Sequence, residues 1–598
     1  MKLHHYFLPA VLAALAAVAA GCIDDKYDLS DIDTTSKFSV KDLVLPANID
    51  PVKLGTIITY DDDSKIKPIE VDGEQVYALS EDGDFSSDRI YVESFTCPSP
   101  ELGYSQSVLE MASGQSAQRR AAGVTVCYEI GEMGHDLSYE TTGVDPSIES
   151  IEFINTEPMV FKASMQVIDV RVPIESVYVT DLVMQMPKGL VVDPTANEGS
   201  YDPATGLWTI SRKEVDAGTT RPEVKLTATG IDFVTAGCDV TPERTFTYDG
   251  AFKVLSGKLY ITPDLSGGIS GSLTPKIEFR IDYSLSDIKA RTFTGRVKYS
   301  FDGMAVDPVD INDIPDFLSE PGTNIYLANP QIYLQLDNPV GNYGLSYNAG
   351  FKLTAMRDNA TDVTFTPDAD GITVGAAYGN AGPYNFVLSP SDRGLAVPEG
   401  YAPHLEHIAF SSLGGLLAAP AGTEGSLPKR IGIDVVNPGI PSQHVDDFVL
   451  NTYIDGVKGK YRLVAPLALT GDTEIVYSDK TDGWFDEDSE DELCVEALEV
   501  TAVADNGAPA TVTLTAYPLD RQGRDIDGAV ITSTVLEPSK AGQKVVIKLE
   551  MKEAVKGLDG VRFEARIGKG NGTALSPSQT IVLNEIKARV SGYYITNF

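Results

Sequence analysis

The sequence predicts an all-β protein: serial antiparallel β-sandwich domains behind a flexible N-terminal tether. Three observations carry this. Apolar residues return at every second position in many short segments, the period of a half-buried strand. Turn dipeptides separate those segments, with Asp-Gly at 72, 82, 249, 302, 370, 455, 482, 527 and 559 and Asn-Pro at 329, 338 and 437. Helical periodicity is scarce, while a 42% hydrophobic content is enough to fill several cores.

The N-terminal segment comes first. Lys2 supplies a positive charge, and Tyr6 to Ala20 form an apolar run. That run suits the hydrophobic region of a signal peptide and is short for a membrane span, and Pro9 is poorly placed for an uninterrupted helix. Residues 1–21 are therefore expected to be a signal peptide. Ala19-Ala20-Gly21-Cys22 resembles the lipobox of bacterial lipoproteins, with Ala19 where that family favours Leu. The resemblance implies cleavage before Cys22 and acylation of that cysteine. Three acyl chains exceed the two signals that stable anchoring needs.

Residues 22–42 are polar and acidic, the composition of a solvated tether. Asp24, Asp25, Lys26 and Asp28 follow the cysteine directly, and this opening resembles the surface-export signal of Bacteroidota lipoproteins. The whole stretch from Cys22 through LVLPANIDPVKLG is similar to surface lipoproteins of that phylum. The resemblance implies an outer-membrane protein held by lipid and facing the extracellular side. Asp33-Thr34-Thr35 resembles the short O-glycosylation motif of the same phylum, which makes Thr34 a candidate attachment site.

The body is expected to divide into β-rich domains at 43–160, 161–300, 301–440 and 441–598. Strand patterns run over Ser164–Val172, Glu223–Thr229, Lys276–Tyr283, Phe293–Phe301, Thr511–Tyr517 and Lys544–Leu549. In residues 561–567, Val561, Phe563, Ala565 and Ile567 alternate with Arg562, Glu564 and Arg566, which puts the charges on one face. Ile586, Ala588 and Val590 alternate with Lys587 and Arg589 in the same way. Asp313 to Ser319 reads as one short helical connector. Residues 186–230 resemble an Ig-like repeat of bacterial surface proteins. The matching positions are Pro187, Gly189, Leu190, Gly199, Tyr201, Asp202, Thr205, Gly206, Trp208, Ala217 and Gly218. Asp202 to Gly206 should close a hairpin, and Trp208 should then re-enter the core. The resemblance implies an Ig-like β-sandwich acting as a stalk or spacer.

Charge narrows the partners. A formal net charge of −39 speaks against nucleic acid and anionic lipid surfaces as electrostatic partners. Of five cysteines, Cys97, Cys127, Cys238 and Cys494 remain once Cys22 is acylated. An exported chain can form disulfides; Cys97 and Cys127 are nearest in sequence, and the connectivity is open. No Cys-x-x-Cys is present. His404-Leu-Glu406-His407 lacks the spacing of a zinc protease helix, and in a strand its two histidines would face opposite ways. His444 with Asp446 and Asp447, and His135 with Asp136, are weaker still. Ser266 to Ser272 is glycine-rich but lacks the lysine of a phosphate loop, and no Gly-x-Ser-x-Gly occurs.

Asp482-Gly-Trp484-Phe485-Asp486-Glu-Asp488-Ser-Glu490-Asp491-Glu492 is the most charged local feature. Six carboxylates in the seven residues 486–492 raise a Ca²⁺ site, built from Asp486, Asp488 and Glu490, without the glycine and spacing of an EF-hand. A solvated acidic loop is the simpler reading. Trp484 and Phe485 beside it could stack on a sugar or plug their own domain. No catalytic constellation, cofactor or metal site is otherwise expected. The chain reads as a non-catalytic cell-surface lipoprotein with a structural, adhesive or ligand-presenting role. The alternatives are a glycan-binding accessory lipoprotein of a polysaccharide-uptake system and a fimbrial anchor or tip subunit with a processing site at Gln118-Arg119-Arg120. A polysaccharide or a surface protein assembly would be the partner.

Overall fold

The computed structural model describes residues 35–597, apart from 47–51, 54–59, 61–63, 72, 111–124, 169–172, 216–220, 265–276, 312–313, 315–317, 319–321, 359–360, 376–381, 421–426, 472, 482–491, 528 and 556–557. Strand accounts for 63% of the chain and helix for 3%, and the sheets are almost wholly antiparallel, so the protein is all-β as its period-two patterns predict. The chain folds into two compact units. One is continuous except for a late return, Ile58–Thr473 with Asn571–Pro577. The other is discontinuous, taking the chain up to Ile57, Glu474–Gly570 and Ser578–Phe598.

The discontinuous unit is a sandwich of two sheets. In the six-stranded sheet, strand Thr580–Asn597 lies between Thr35–Pro46 and Glu492–Asn506, and Lys540–Val555 and Ala529–Thr532 continue the order. The first of these pairings is antiparallel, from Thr35 opposite Asn597 to Pro46 opposite Lys587. The four-stranded sheet runs Glu474–Thr481, Leu558–Gly570, Ala510–Asp520, Thr534–Leu536. Ala504, Val545 and Leu549 of the first sheet meet Val512, Ala516 and Leu536 of the second in one buried cluster. The alternation read in residues 561–567 therefore holds: Ile567 and Ala565 pack against this cluster, while Arg562, Glu564 and Arg566 share the other face.

The larger unit is organised around a twelve-stranded sheet, with two six-stranded sheets beside it. Its spine is the 21-residue strand Ile148–Ile168, which pairs with Glu223–Asp232 on one side and with Ile277–Leu285 and Ile288–Ser300 on the other. Strand Arg430–Val449 continues the sheet from Ile288–Ser300. Phe161 of this sheet meets Phe252 of a six-stranded sheet edge to face at 6.0 Å, and Phe252 meets Tyr283 at 4.8 Å. All three rings are buried, and such edge-to-face contacts add about 0.5–1.5 kcal/mol each beyond their burial. The other six-stranded sheet centres on Gln331–Leu336 and contains Tyr384–Ser389 and Lys458–Pro466, with Tyr333, Val387 and Val464 in its cluster.

Several sequence expectations are corrected here. The expected junction at 160/161 falls inside Ile148–Ile168, the one at 440/441 inside Arg430–Val449, and the one at 42/43 inside Thr35–Pro46. Turn density marks hairpin ends and bulges, and these do not separate folding units. Asp82-Gly83, Asp249-Gly250 and Asp559-Gly560 lie inside strands and make no turn. The glycines there allow close approach: a Cβ on Gly83 would sit 2.6 Å from the Tyr461 ring, and one on Gly250 2.8 Å from the Pro187 side chain. Asn437-Pro438 is a bulge in Arg430–Val449, with Asn437 at φ 48°. The Asp313–Ser319 connector falls outside the described residues except for Ile314 and Leu318.

Cys97, Cys127, Cys238 and Cys494 are all buried, and no disulfide joins them. Cys127 lies opposite Tyr260, and Cys97 opposite Ile288. The neighbours in sequence are thus not neighbours in space; the Cys97 thiol instead sits within electrostatic reach of Cys238.

Candidate functional site

The residues singled out from the sequence for anchoring and export, Cys22, Asp24, Asp25, Lys26, Asp28 and Thr34, lie outside the described residues. So do Trp484, Phe485, Asp486, Asp488 and Glu490, in a segment joining strands Glu474–Thr481 and Glu492–Asn506. Gln118-Arg119-Arg120 and Ser266–Ser272 are outside them too.

The histidines are described. His404 adopts φ 52°, and His407 on strand Leu405–Ala409 places Nε2 3.1 Å from Ser389 Oγ. Ser389 is buried, and its hydroxyl donates to the Ser391 carbonyl at 2.7 Å, so this pair is a tie between strands. His444 lies 3.3 Å from Glu152 on an exposed face. No group of three or more His, Cys, Asp or Glu among the described residues could hold a metal ion.

Within residues 186–230 the expected hairpin and the buried tryptophan are present, while Ala217 and Gly218 lie outside the described residues. Strands Ser200–Asp202 and Leu207–Glu214 form a hairpin closed by Gly206 N–H to Asp202 O at 2.8 Å. Asp202 also accepts from the Thr205 hydroxyl at 2.6 Å and the Ala204 N–H at 3.1 Å, bonds that hold its carboxyl below the usual range. Trp208 is fully buried, and its indole N–H donates to the Glu198 carbonyl at 2.8 Å.

Over this hairpin lies a cleft of about 400 Å³, lined by Leu190, Val192, Pro194, Asn197, Tyr201 and Asp232 among others. Its principal polar groups are tied inward. Tyr201 donates to Pro187 O at 2.6 Å and accepts from Leu190 N–H at 3.2 Å. Burial pushes the Tyr201 phenol well above its usual pKa. Asn197 bridges Asp193 O, Thr227 O and Thr227 N–H. Asp232 caps the short helix Phe233–Ala236. These groups hold the loop in one shape.

A second place in the same unit is built the opposite way. Tyr91 and Tyr453 stack with ring centroids 4.7 Å apart and planes 29° apart, and Tyr453 remains 64% exposed. Paired backbone bonds between Ile90 and Ile454, at 3.0 and 2.9 Å, fix the two segments, and Asn451 N–H donates to Val92 O at 2.8 Å. The Tyr91 hydroxyl donates to Asn451 Oδ1, and its N–H donates to Tyr299 Oη at 3.3 Å. Ile90 and Val92 are buried while Arg89 and Glu93 are exposed, so in this extended segment Arg89 and Glu93 share the outer side with Tyr91. Among the described residues nothing engages the Arg89 guanidinium, the Glu93 carboxylate or Asn451 Nδ2.

The sequence did not reveal this pairing, because Tyr91 and Asn451 are 360 positions apart. The available signal was local: Tyr453 is a large aromatic residue amid the turn-forming Asn451-Thr452 and Asp455-Gly456.

No family model matches the chain, and no curated protein does either. Among solved structures, a protein described as secreted, from Parabacteroides distasonis, is 14% identical. It aligns over 50% of this chain and 90% of its own, with a TM-score of 0.35. A structure reporting a triple jelly roll fold and turret assembly in an archaeal virus is 10% identical over 84% of this chain and 91% of its own, with a TM-score of 0.09. Likenesses this loose carry no functional assignment. No helix among the described residues is long and apolar enough to cross a membrane.

Proposed function

We propose that this chain is a non-catalytic cell-surface lipoprotein whose β-sandwich body presents a binding surface away from the outer membrane. One observation carries the reading: the contrast between the two sites above. The cleft at 186–232 ties its principal polar groups inward, whereas the Tyr91–Tyr453 surface holds a rigid aromatic platform with unengaged polar groups around it. Fixed geometry with free donors and acceptors suits recognition. Cys22 is the anchor, and Asp24, Asp25, Lys26 and Asp28 direct the chain to the outer face. A glycan-binding accessory role is the favoured form, because an exposed tyrosine ring is its central element. Strand donation in a fimbria has less support, since Thr580–Asn597 is hydrogen-bonded on both sides.

The test uses a Bacteroidota host. Wild type should incorporate labelled palmitate and be released by protease from intact cells, and Cys22→Ala should do neither. Replacing Asp24, Asp25 and Asp28 with Ala should leave a lipidated protein that protease cannot reach. A wild-type chain that stays unlabelled, or stays shielded on intact cells, defeats the proposal.

A further inference from the structure

We infer that Tyr453, backed by Tyr91, with Asn451 on its own segment and Arg89 and Glu93 on either side of Tyr91, is a binding site for an uncharged pyranose unit of a glycan. The inference rests on the surface-binding reading above and names the ligand class.

The argument begins with the ring. Among the described residues Tyr453 is the most exposed of the large aromatics, at 64%, and one of its faces is covered by Tyr91 at 4.7 Å. An aromatic ring held open at the surface costs apolar hydration unless something covers it. It is also held still. Tyr91 is pinned at its hydroxyl by Asn451 and at its N–H by Tyr299, and the Ile90–Ile454 pair locks the backbones. A preorganised flat surface loses little entropy when a flat ligand settles on it. The axial C–H face of a pyranose is such a ligand, and tyrosine combines an apolar face with a polar tip.

The polar groups choose among ligands. Sugar hydroxyls both donate and accept. The guanidinium of Arg89 and Nδ2 of Asn451 offer donors, and the Glu93 carboxylate accepts. All three are planar and able to make paired bonds to adjacent hydroxyls. An anionic ligand would gain Arg89 but meet Glu93 in a chain of net charge −39. An organic cation would gain the ring and Glu93 but meet Arg89. An uncharged polyol uses all three groups without opposing one of them, which a ligand of a single charge sign does not.

The experiment is affinity electrophoresis of the full chain in mild non-ionic detergent. The gels contain amylopectin, barley β-glucan, xylan, galactan or yeast mannan, with polygalacturonate and a spermine-loaded gel as charged arms. At least one neutral glycan should retard the wild type. Tyr453→Ala should weaken that retardation at least about tenfold, as removal of a central aromatic anchor does. Tyr453→Phe, which keeps the stacking face, should stay within about threefold, and Asn451→Ala should fall between. Tyr477→Ala removes another exposed tyrosine and should change nothing. Melting curves matching wild type show that each variant is folded. The inference is overturned if no neutral glycan retards the chain, if Tyr453→Ala binds like wild type, or if only a charged arm binds. A chain that is surface-exposed yet unretarded defeats this inference alone, whereas a chain that is never surface-exposed defeats the reading beneath it.

Discussion

Glu564→Gln should loosen the discontinuous unit at neutral pH and leave it unchanged in acid. Glu564 is 7% exposed and accepts from Arg566 Nε at 2.6 Å and from Arg562 Nη1 at 3.0 Å. Arg562 also bonds Asp525 at 2.7 Å and covers the Tyr517 ring at 4.2 Å, and Arg566 bonds Glu474. A glutamine keeps the shape, but its amide presents donors to one of the two guanidiniums. Two charge-assisted bonds are worth about 1.5–3 kcal/mol each. Arg566 is 47% exposed, and both arginines keep a second carboxylate, so the net loss comes down to about 2 kcal/mol. That corresponds to about 30-fold faster hydrogen exchange in peptides spanning Leu558–Gly570.

The pH dependence follows from the shift at Glu564. Burial pushes its carboxyl up, but the hydrogen bonds from Arg566 and Arg562 outweigh this and hold it below the usual value. A depressed folded pKa gives stability that is complete above the unfolded value of about 4.3 and is lost as pH falls through the folded one. The gap between wild type and Glu564→Gln should therefore be full at pH 7 and shrink below about pH 4. Equal exchange at pH 7, or a gap undiminished at pH 2.5, would refute the reasoning.

Two further outcomes concern the larger unit. Gly199 adopts φ +75°, and a Cβ there would stand 2.2 Å from the Thr209 carbonyl oxygen. Gly199→Ala should cost about 3 kcal/mol, left-handed strain plus a forced backbone shift, measured by urea denaturation. Burial, with Cys238 nearby, pushes the Cys97 thiol up to about 12, and burial likewise raises Cys238 to about 11. Neither should be alkylated by iodoacetamide in the native chain at pH 8, and both should be in denaturant; mass spectrometry reads the labels.

What the sequence revealed and what it hid divide along one line. Arg562, Glu564 and Arg566 declared their shared face because strand periodicity is a property of neighbours. The Asp202–Gly206 hairpin was legible for the same reason, since its turn and the tryptophan after it lie within seven residues. Asp82-Gly83 and Asp249-Gly250 misled because the residues that press on their glycines, Tyr461 in a strand and Pro187 in a loop, come from distant parts of the chain. The Tyr91–Tyr453 stack was unreadable on the same ground. So was the discontinuous unit, because pairing Thr35–Pro46 with Thr580–Asn597 leaves no mark on either strand.

That pairing sets an order of events. A chain synthesised from its N-terminus delivers Thr35–Pro46 first, and the strand that completes its ladder comes last. Until then the early strand offers unmet backbone groups to any passing edge. Ile58–Thr473 of the larger unit can pair with itself in the meantime and waits only for Asn571–Pro577, which bonds Tyr77 and Leu467 through Leu575. Completion of the discontinuous unit is thus the slow, late step, governed by a contact between the two ends of the described chain. A chain that stopped at Pro577 would hold every residue of the larger unit and lack the strand Thr580–Asn597 around which the six-stranded sheet of the discontinuous unit is built.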